Sequence, residues 1–167
     1  QHYLLDSERF TRLRDQMVGE FHNMATRPSA HAGSAYEADA EALTKQLDAF
    51  YEQLPPQQDD GRPVTALIAP HIDPRVGGTC SARAFASLKN QDPPPELFVI
   101  FGTAHQPGDS LFTLTEKAFD TPLGAAEVDL DVATALKENF PFDLKCDEFL
   151  HKHEHSSNLC FASLRQM

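Results

Sequence analysis

The sequence has few cysteines, few basic residues and no long apolar run, and each shortage argues against a class of protein. Three cysteines without a CxxC pair indicate neither a disulfide framework nor a zinc ribbon, so reduced thiols are expected. Fourteen Lys and Arg against 25 Asp and Glu give a formal net charge of -11, which would repel nucleic acids and anionic membranes. No stretch approaches the roughly 20 apolar residues of a membrane-spanning helix, and no signal peptide is recognised. We therefore expect a soluble, cytoplasmic protein.

Several common enzyme motifs are also absent. The sequence contains no GxGxxG, Walker or GxSxG pattern, so dinucleotide-binding, P-loop and α/β-hydrolase functions have no support. Its 167 residues and 41% hydrophobic composition are enough for one globular domain with a real core.

Two apolar runs in the middle of the chain are each followed by a histidine. Residues 64–69 predict a strand buried on both faces, which ends at Pro70 and His71. Residues 97–101 predict a second such strand, and His105 follows about four residues after its end. A helix is expected between them, from about residue 79 to residue 88, after a Gly-Gly pair that relaxes the backbone. This βαβ order predicts two parallel strands with a right-handed crossover.

The two strand-end histidines are the first candidates for a functional site. Because the carboxyl ends of parallel strands meet at one edge of a sheet, His71 and His105 are expected to face one crevice, as a metal or acid/base site requires. The alternative is a pair of structural histidines that only satisfy hydrogen bonds. His153 and His155 are two residues apart, which places them about 200° apart if the segment is helical, so a shared ligand is not expected.

The remaining sequence predicts helices joined by loops, with one more strand. Residues 27–36 are rich in small and helix-breaking residues and should form a loop, in which His31 is expected to be a surface or hydrogen-bonding residue. Elsewhere we expect amphipathic helices at about 5–21, 39–54 and 129–139, an exposed strand at 111–115 and another helix that begins after Ser156.

Five short motifs, taken in order, resemble the Memo family. They are HAGSAY at 31–36, APH at 69–71, GTAH at 102–105, TPLG at 121–124 and EHS at 154–156. The family includes the bacterial and archaeal members known as AmmeMemoRadiSam system protein B, and the similarity runs from about Arg27 to Arg165. It implies an N-terminal helical extension at 1–26 and the N-terminal half of a Memo-like α/β domain at 27–167.

The Memo family is in turn similar to the class III extradiol dioxygenases. This resemblance implies a three-layer α/β fold with a mostly parallel central sheet flanked by helices, here truncated at the C-terminus. It also implies an iron or copper ion bound by His71 and His105, with His155 as the catalytic pocket histidine that moves a proton. The family's third ligand, a cysteine near the C-terminus, falls in a region this chain does not contain, and Cys160 matches no family ligand.

Two functions from different classes follow from this resemblance. One is a metal-dependent, dioxygenase-like oxidoreductase that acts on a small molecule. The other is a non-enzymatic protein that binds a peptide or sequesters metal. In either case we expect an uncovered apolar sheet edge that a homodimer would hide.

Overall fold

The structure of the protein is a computed structural model, which describes residues 6–56, 63–89 and 91–156. Its elements follow the chain in the order α1 (Glu8–His22), β1 (Thr26–Arg27), α2 (Ala40–Glu52), α3 (Pro74–Lys89), β2 (Ala118–Phe119), α4 (Leu130–Asn139) and a 3-10 helix (Glu148–Lys152). The predicted α/β class is confirmed: the described segments form a small parallel sheet and four α-helices. Within the described residues, no helix combines the length and the apolar character needed to cross a bilayer.

Three α-helices begin at side chains that cap their first turns. The Ser7 hydroxyl accepts a hydrogen bond from the Phe10 amide at 3.3 Å. The carboxylates of Asp39 and Asp129 accept from amides three residues ahead, at 2.9 and 3.0 Å. The sequence predicts the Asp39 cap, and it offers Asp6 or Ser7 for α1 and Asp129 or Asp131 for α4, because an N-cap is a local signal. The structure selects Ser7 and Asp129.

Helix α3 begins at Pro74, five residues earlier than predicted, and it includes the two glycines assigned to a loop. A Cβ atom on Gly77 would come within 2.1 Å of Ile72, and one on Gly78 within 2.4 Å of the Phe50 ring. The glycines therefore let α3 pack closely against neighbouring side chains, including one from α2. The prediction that they relax the backbone was wrong.

The sheet consists of β1 and β2, which run parallel with Thr26 opposite Ala118 and Arg27 opposite Phe119. The Asp120 amide extends the pairing by donating to the Arg27 carbonyl at 3.0 Å. The Thr26 hydroxyl adds a 2.7 Å hydrogen bond to the Asp120 carboxylate. Neither strand was predicted, because two residues are too few to give a periodic signal.

The strands predicted at 64–69, 97–101 and 111–115 are not formed, so the expected βαβ unit is absent from the described residues. Apolar side chains in these runs lie open to solvent: Ile68 is 95% exposed, Phe101 81% and Leu111 83%. An apolar run indicates only a propensity to form a buried strand. A strand also needs a neighbouring strand that shares its hydrogen bonds. No strand of the described segments pairs with these three runs.

The core joins the loop at 31–36 to the helices. Tyr36, Leu43 and Leu47 form a buried cluster, with Phe50 packed against it. At the other end of the fold, the buried ring of Phe21 in α1 meets Phe149 edge-to-face at 5.8 Å.

Lys117 ties α1 to the segment that precedes β2. Its side chain is almost fully buried, and its ammonium donates to the carbonyls of His22 and Met24 at 3.0 and 2.7 Å. These carbonyls lie at the C-terminal end of α1, where a positive charge is favourable.

Candidate metal centre

Three histidines from distant parts of the chain meet at one place. His71, His105 and His155 each offer one ring nitrogen, and these nitrogens lie within 4.8 Å of one another. The ring centroids are 4.8 Å apart for His71 and His105, 4.9 Å for His71 and His155, and 4.4 Å for His105 and His155. His71 and His105 thus lie together as the sequence led us to expect, although not at the edge of a parallel sheet. His155 joins them.

Glu154 holds His105 and His155 in place. Its carboxylate accepts hydrogen bonds from Nδ1 of His105 at 2.9 and 3.0 Å, and from the His105 amide at 3.1 Å. The same carboxylate accepts from the amides of His155 and Ser156 at 2.7 and 2.9 Å. The Ser156 hydroxyl donates in turn to the Thr103 carbonyl at 3.2 Å, so the 103–105 and 154–156 segments are joined at several points.

These hydrogen bonds keep Glu154 ionised. Burial alone would raise the pKa of Glu154, but hydrogen bonds from Ser156, His105 and His155 outweigh burial and lower the pKa to about 2. An ionised carboxylate can only accept hydrogen bonds, so Nδ1 of His105 must carry the proton. In the neutral imidazole this tautomer leaves the lone pair on Nε2, the arrangement that a metal-ligating histidine requires.

His155 is kept neutral. Partial burial lowers the pKa of His155, and the neighbouring imidazoles lower it further, against the attraction of the Glu154 carboxylate. A neutral imidazole can bind a metal ion or accept a proton.

Two further histidines lie beside this cluster. His31 packs its ring edge-on against His155 at a centroid distance of 5.4 Å, and its Nε2 lies 3.2 Å from the His153 carbonyl oxygen. His31 thus makes a hydrogen-bonding contact, as the sequence predicted. Only the main-chain carbonyl of His153 takes part in this contact. Among the described residues, the His153 ring is not part of the cluster of His71, His105 and His155.

A cavity of about 430 Å³ opens on the side of the cluster formed by His71 and His155. Apolar side chains that include Ile72 and Phe85 line the cavity, together with Tyr36 and His31. Small-molecule sites commonly combine an apolar wall with a few convergent polar groups. The cavity could therefore hold a small molecule beside the histidine nitrogens.

A sequence profile for the family described as Memo-like protein matches residues 27–167. The chain belongs to the Memo-like protein family. The resemblance seen in the five motifs is therefore confirmed.

Most of the chain is similar in sequence to MEMO1 family proteins. The one from Aquifex aeolicus is 26% identical over 156 residues, which cover 93% of this chain and 40% of the relative. The one from Methanopyrus kandleri is 32% identical, with 78% and 48% covered, and the one from Thermococcus onnurineus is 36% identical, with 78% and 44% covered. The chain thus spans about half the length, or less, of these Memo-like relatives.

Neither the contact of Glu154 with the histidines nor the burial of Arg27 was predicted from the sequence. Glu154 stands next to His155 in the EHS motif, so a carboxylate partner for an imidazole could have been recognised there. Arg27 gives no such signal, because one arginine in a predicted loop does not indicate burial. Cys160, which matched no family ligand, lies outside the described residues.

Proposed function

We propose that this Memo-like chain binds a redox-active metal ion, iron or copper, through His71, His105 and His155. The observation that carries the proposal is the convergence of three ring nitrogens within 4.8 Å. Imidazole nitrogens are good ligands for iron and copper. The hydrogen bond from His105 to Glu154 is the support that metal-ligating histidines usually have, so the donor set fits such an ion.

A bound iron or copper ion would supply redox chemistry and a Lewis-acidic position for a small molecule. The chain's own residues do the rest. Glu154 orients His105 and keeps its Nε2 free, and the neutral His155 completes a set of three nitrogen donors. The cavity beside His71 excludes part of the solvent and offers an apolar wall to an organic ligand.

His155 has a second proposed role, the proton transfer implied by the family resemblance. A metal-bound imidazole cannot accept a proton at its ligating nitrogen, so the two roles differ in their effects. If His155 is a ligand, His155→Ala weakens metal binding as much as His71→Ala does. If His155 only moves a proton, His155→Ala leaves affinity unchanged and slows turnover.

The test is a calorimetric titration of the 167-residue chain with Fe²⁺ under anaerobic conditions and with Cu²⁺. We expect His71→Ala, His105→Ala and His155→Ala each to lower affinity by at least about tenfold, because each removes one of three ligands. The folds should remain intact, since all three residues are exposed. His22→Ala removes an exposed histidine outside the cluster and should change nothing. A parent chain that binds neither ion would overturn the proposal.

Exposure of the three rings favours a second candidate, metal binding without turnover. Catalytic metal sites generally exclude water, whereas a storage or peptide-binding site need not. Oxygen consumption by the metal-loaded chain with catechol-type substrates separates the two. Turnover supports the oxidoreductase, and bound metal without turnover supports the non-enzymatic protein.

The expected compartment and partners remain predictions from composition. Three cysteines without a CxxC pair predict reduced thiols, and hence a reducing compartment such as the cytoplasm. The net charge of -11 argues against nucleic-acid partners.

A further inference from the structure

Arg27 is buried in a way that is unusual for a charged residue. It is 1% exposed, and it is the largest fully buried side chain of the described residues. Burial lowers the pKa of Arg27 to about 10, against the attraction of Tyr36 and Glu154, so the guanidinium remains charged at neutral pH. A buried charge is costly unless hydrogen bonds satisfy it.

The donors of Arg27 are directed at the main chain just before the histidine cluster. Nε donates to the carbonyl of His151, and Nη2 donates to the carbonyl of Glu154. The guanidinium carbon lies 4.5 Å from the centre of the Phe119 ring, so a cation–π contact also stabilises the charge. Two acceptors and one ring therefore fix the position of the guanidinium.

The two carbonyls lie on the short segment that leads into His155. This segment leaves the 3-10 helix at Lys152 and reaches Glu154 two residues later. The Glu154 carbonyl points to Arg27, while the Glu154 carboxylate binds Nδ1 of His105. A shift of the main chain at Glu154 would therefore move both the support of His105 and the ring of His155.

Arg27 is itself held by the sheet. It pairs with Phe119 in the parallel register of β1 and β2, and its carbonyl accepts from the Asp120 amide at 3.0 Å. The main chain of Arg27 is thus fixed independently of the segment that its side chain binds.

We propose that Arg27 is a positioning residue of the metal centre: its guanidinium locks the main chain from His151 to Glu154 and so sets the places of Glu154 and His155. The inference rests on the proposed metal-binding function. It adds a residue that is not among those lining the cavity.

The geometry requires a guanidinium rather than a simple positive charge. Arginine presents planar donors that can reach two acceptors while its face stacks on a ring, whereas lysine has a single ammonium at the end of a flexible stem. Arg27→Lys keeps the charge but loses the two-point attachment. It should therefore loosen the segment without removing any metal ligand.

The first experiment titrates Co²⁺ into the parent chain and into Arg27→Lys, with folding checked by circular dichroism. We expect the affinity of Arg27→Lys for Co²⁺ to fall roughly 10- to 100-fold, the usual effect of losing support behind a metal ligand. The control is Lys117→Met, which disrupts a different buried cation, one that binds two main-chain carbonyls beside α1. Its affinity should equal that of the parent.

A second measurement does not depend on metal. Long-range ¹H–¹⁵N NMR of the metal-free chain reports which nitrogen of each imidazole carries the proton, and His105→Ala identifies the His105 signals. In the parent we expect a protonated Nδ1 on His105. In Arg27→Lys we expect the two His105 nitrogen signals to move toward a mixture of tautomers, and in Lys117→Met to stay unchanged.

The outcomes separate the two proposals. A folded Arg27→Lys chain with parental Co²⁺ affinity and parental His105 signals would overturn the role of Arg27. A parent that does not bind Co²⁺ would count against the metal site, while the metal-free NMR would still decide the role of Arg27. If Arg27→Lys does not fold, Phe119→Leu removes the stacked ring and retains Arg27. Its His105 signals should shift in the same direction, and unchanged signals would overturn the proposal.

Discussion

The carboxylate of Glu154 and the imidazole of His105 are joined by a hydrogen bond of 2.9 Å between residues 49 positions apart in the chain. The side chain of Glu154 is only 14% exposed, whereas that of His105 is 42% exposed. The carboxylate is therefore the more buried member of the pair, and the imidazole is the more accessible one.

This pair predicts the effect of Glu154→Gln. A neutral amide offers a donor as well as an acceptor, so it no longer selects the tautomer with a free Nε2 on His105. We expect metal affinity to fall roughly 10- to 100-fold, measured by calorimetry with Fe²⁺. Glu41→Gln makes the same chemical change in an exposed pair with Lys45 and should have no effect.

The low pKa of Glu154 predicts how stability depends on pH. The folded chain protonates Glu154 less readily than the unfolded chain does, so this contribution is fully present above the ordinary pKa of 4.5. It is lost as the pH falls from there through about 2. Urea unfolding at several pH values below 5 should therefore show a steeper loss of stability for the parent than for Glu154→Gln. Parallel curves for the two chains would contradict the prediction.

The contact between Gly78 and Phe50 predicts the result of Gly78→Ala. The new methyl group would meet the Phe50 ring at 2.4 Å, so the ring or α3 must move. We expect the free energy of unfolding to fall by about 1–3 kcal/mol, measured by urea denaturation. Gly19→Ala is the control, because nothing lies within 4 Å of its Cβ position in α1. Helix propensity should raise the stability of that variant by up to about 1 kcal/mol.

The exposed apolar runs predict self-association of the 167-residue chain. Ile68 and Phe101 are 95% and 81% exposed, and burying such side chains between copies is favourable. Sedimentation velocity should show concentration-dependent association of the parent and a loss of it in Ile68→Lys/Phe101→Lys. Leu130→Lys, which changes an exposed side chain on α4, should associate like the parent. A parent that sediments as a monomer at every concentration would count against the expected homodimer.

Local signals in the sequence predicted local structure well. Asp39 caps its helix as predicted, and Asp129 is one of the two caps, with Asp131, that the sequence offers for α4. Such caps can be predicted because the acceptor and the donor lie within four residues. His71 and His105 come together as expected, although the strands expected to carry them are not formed. The proline before His71 and the position of both histidines after apolar runs were sufficient to single them out.

Contacts between distant residues could not be predicted in this way. Arg27 binds main-chain carbonyls 124 and 127 residues away, and the sequence contains no pattern that links these positions. The two-residue strands could not be predicted for a related reason, since their pairing depends on tertiary contacts rather than on periodicity. The contact between Glu154 and His105 was partly predictable. The EHS motif includes Glu154, but it does not indicate that Glu154 binds His105.

The burial of Lys117 makes its amine a reporter of how α1 is attached. An acylating reagent needs an uncovered amine, but this one is 8% exposed, donates to the carbonyls of His22 and Met24, and lies over the Phe21 ring. Exposed lysines such as Lys45 should be labelled at once, whereas Lys117 should be labelled only when α1 lifts from the rest of the chain. Its labelling rate, followed by mass spectrometry, would therefore time the detachment of the N-terminal helix.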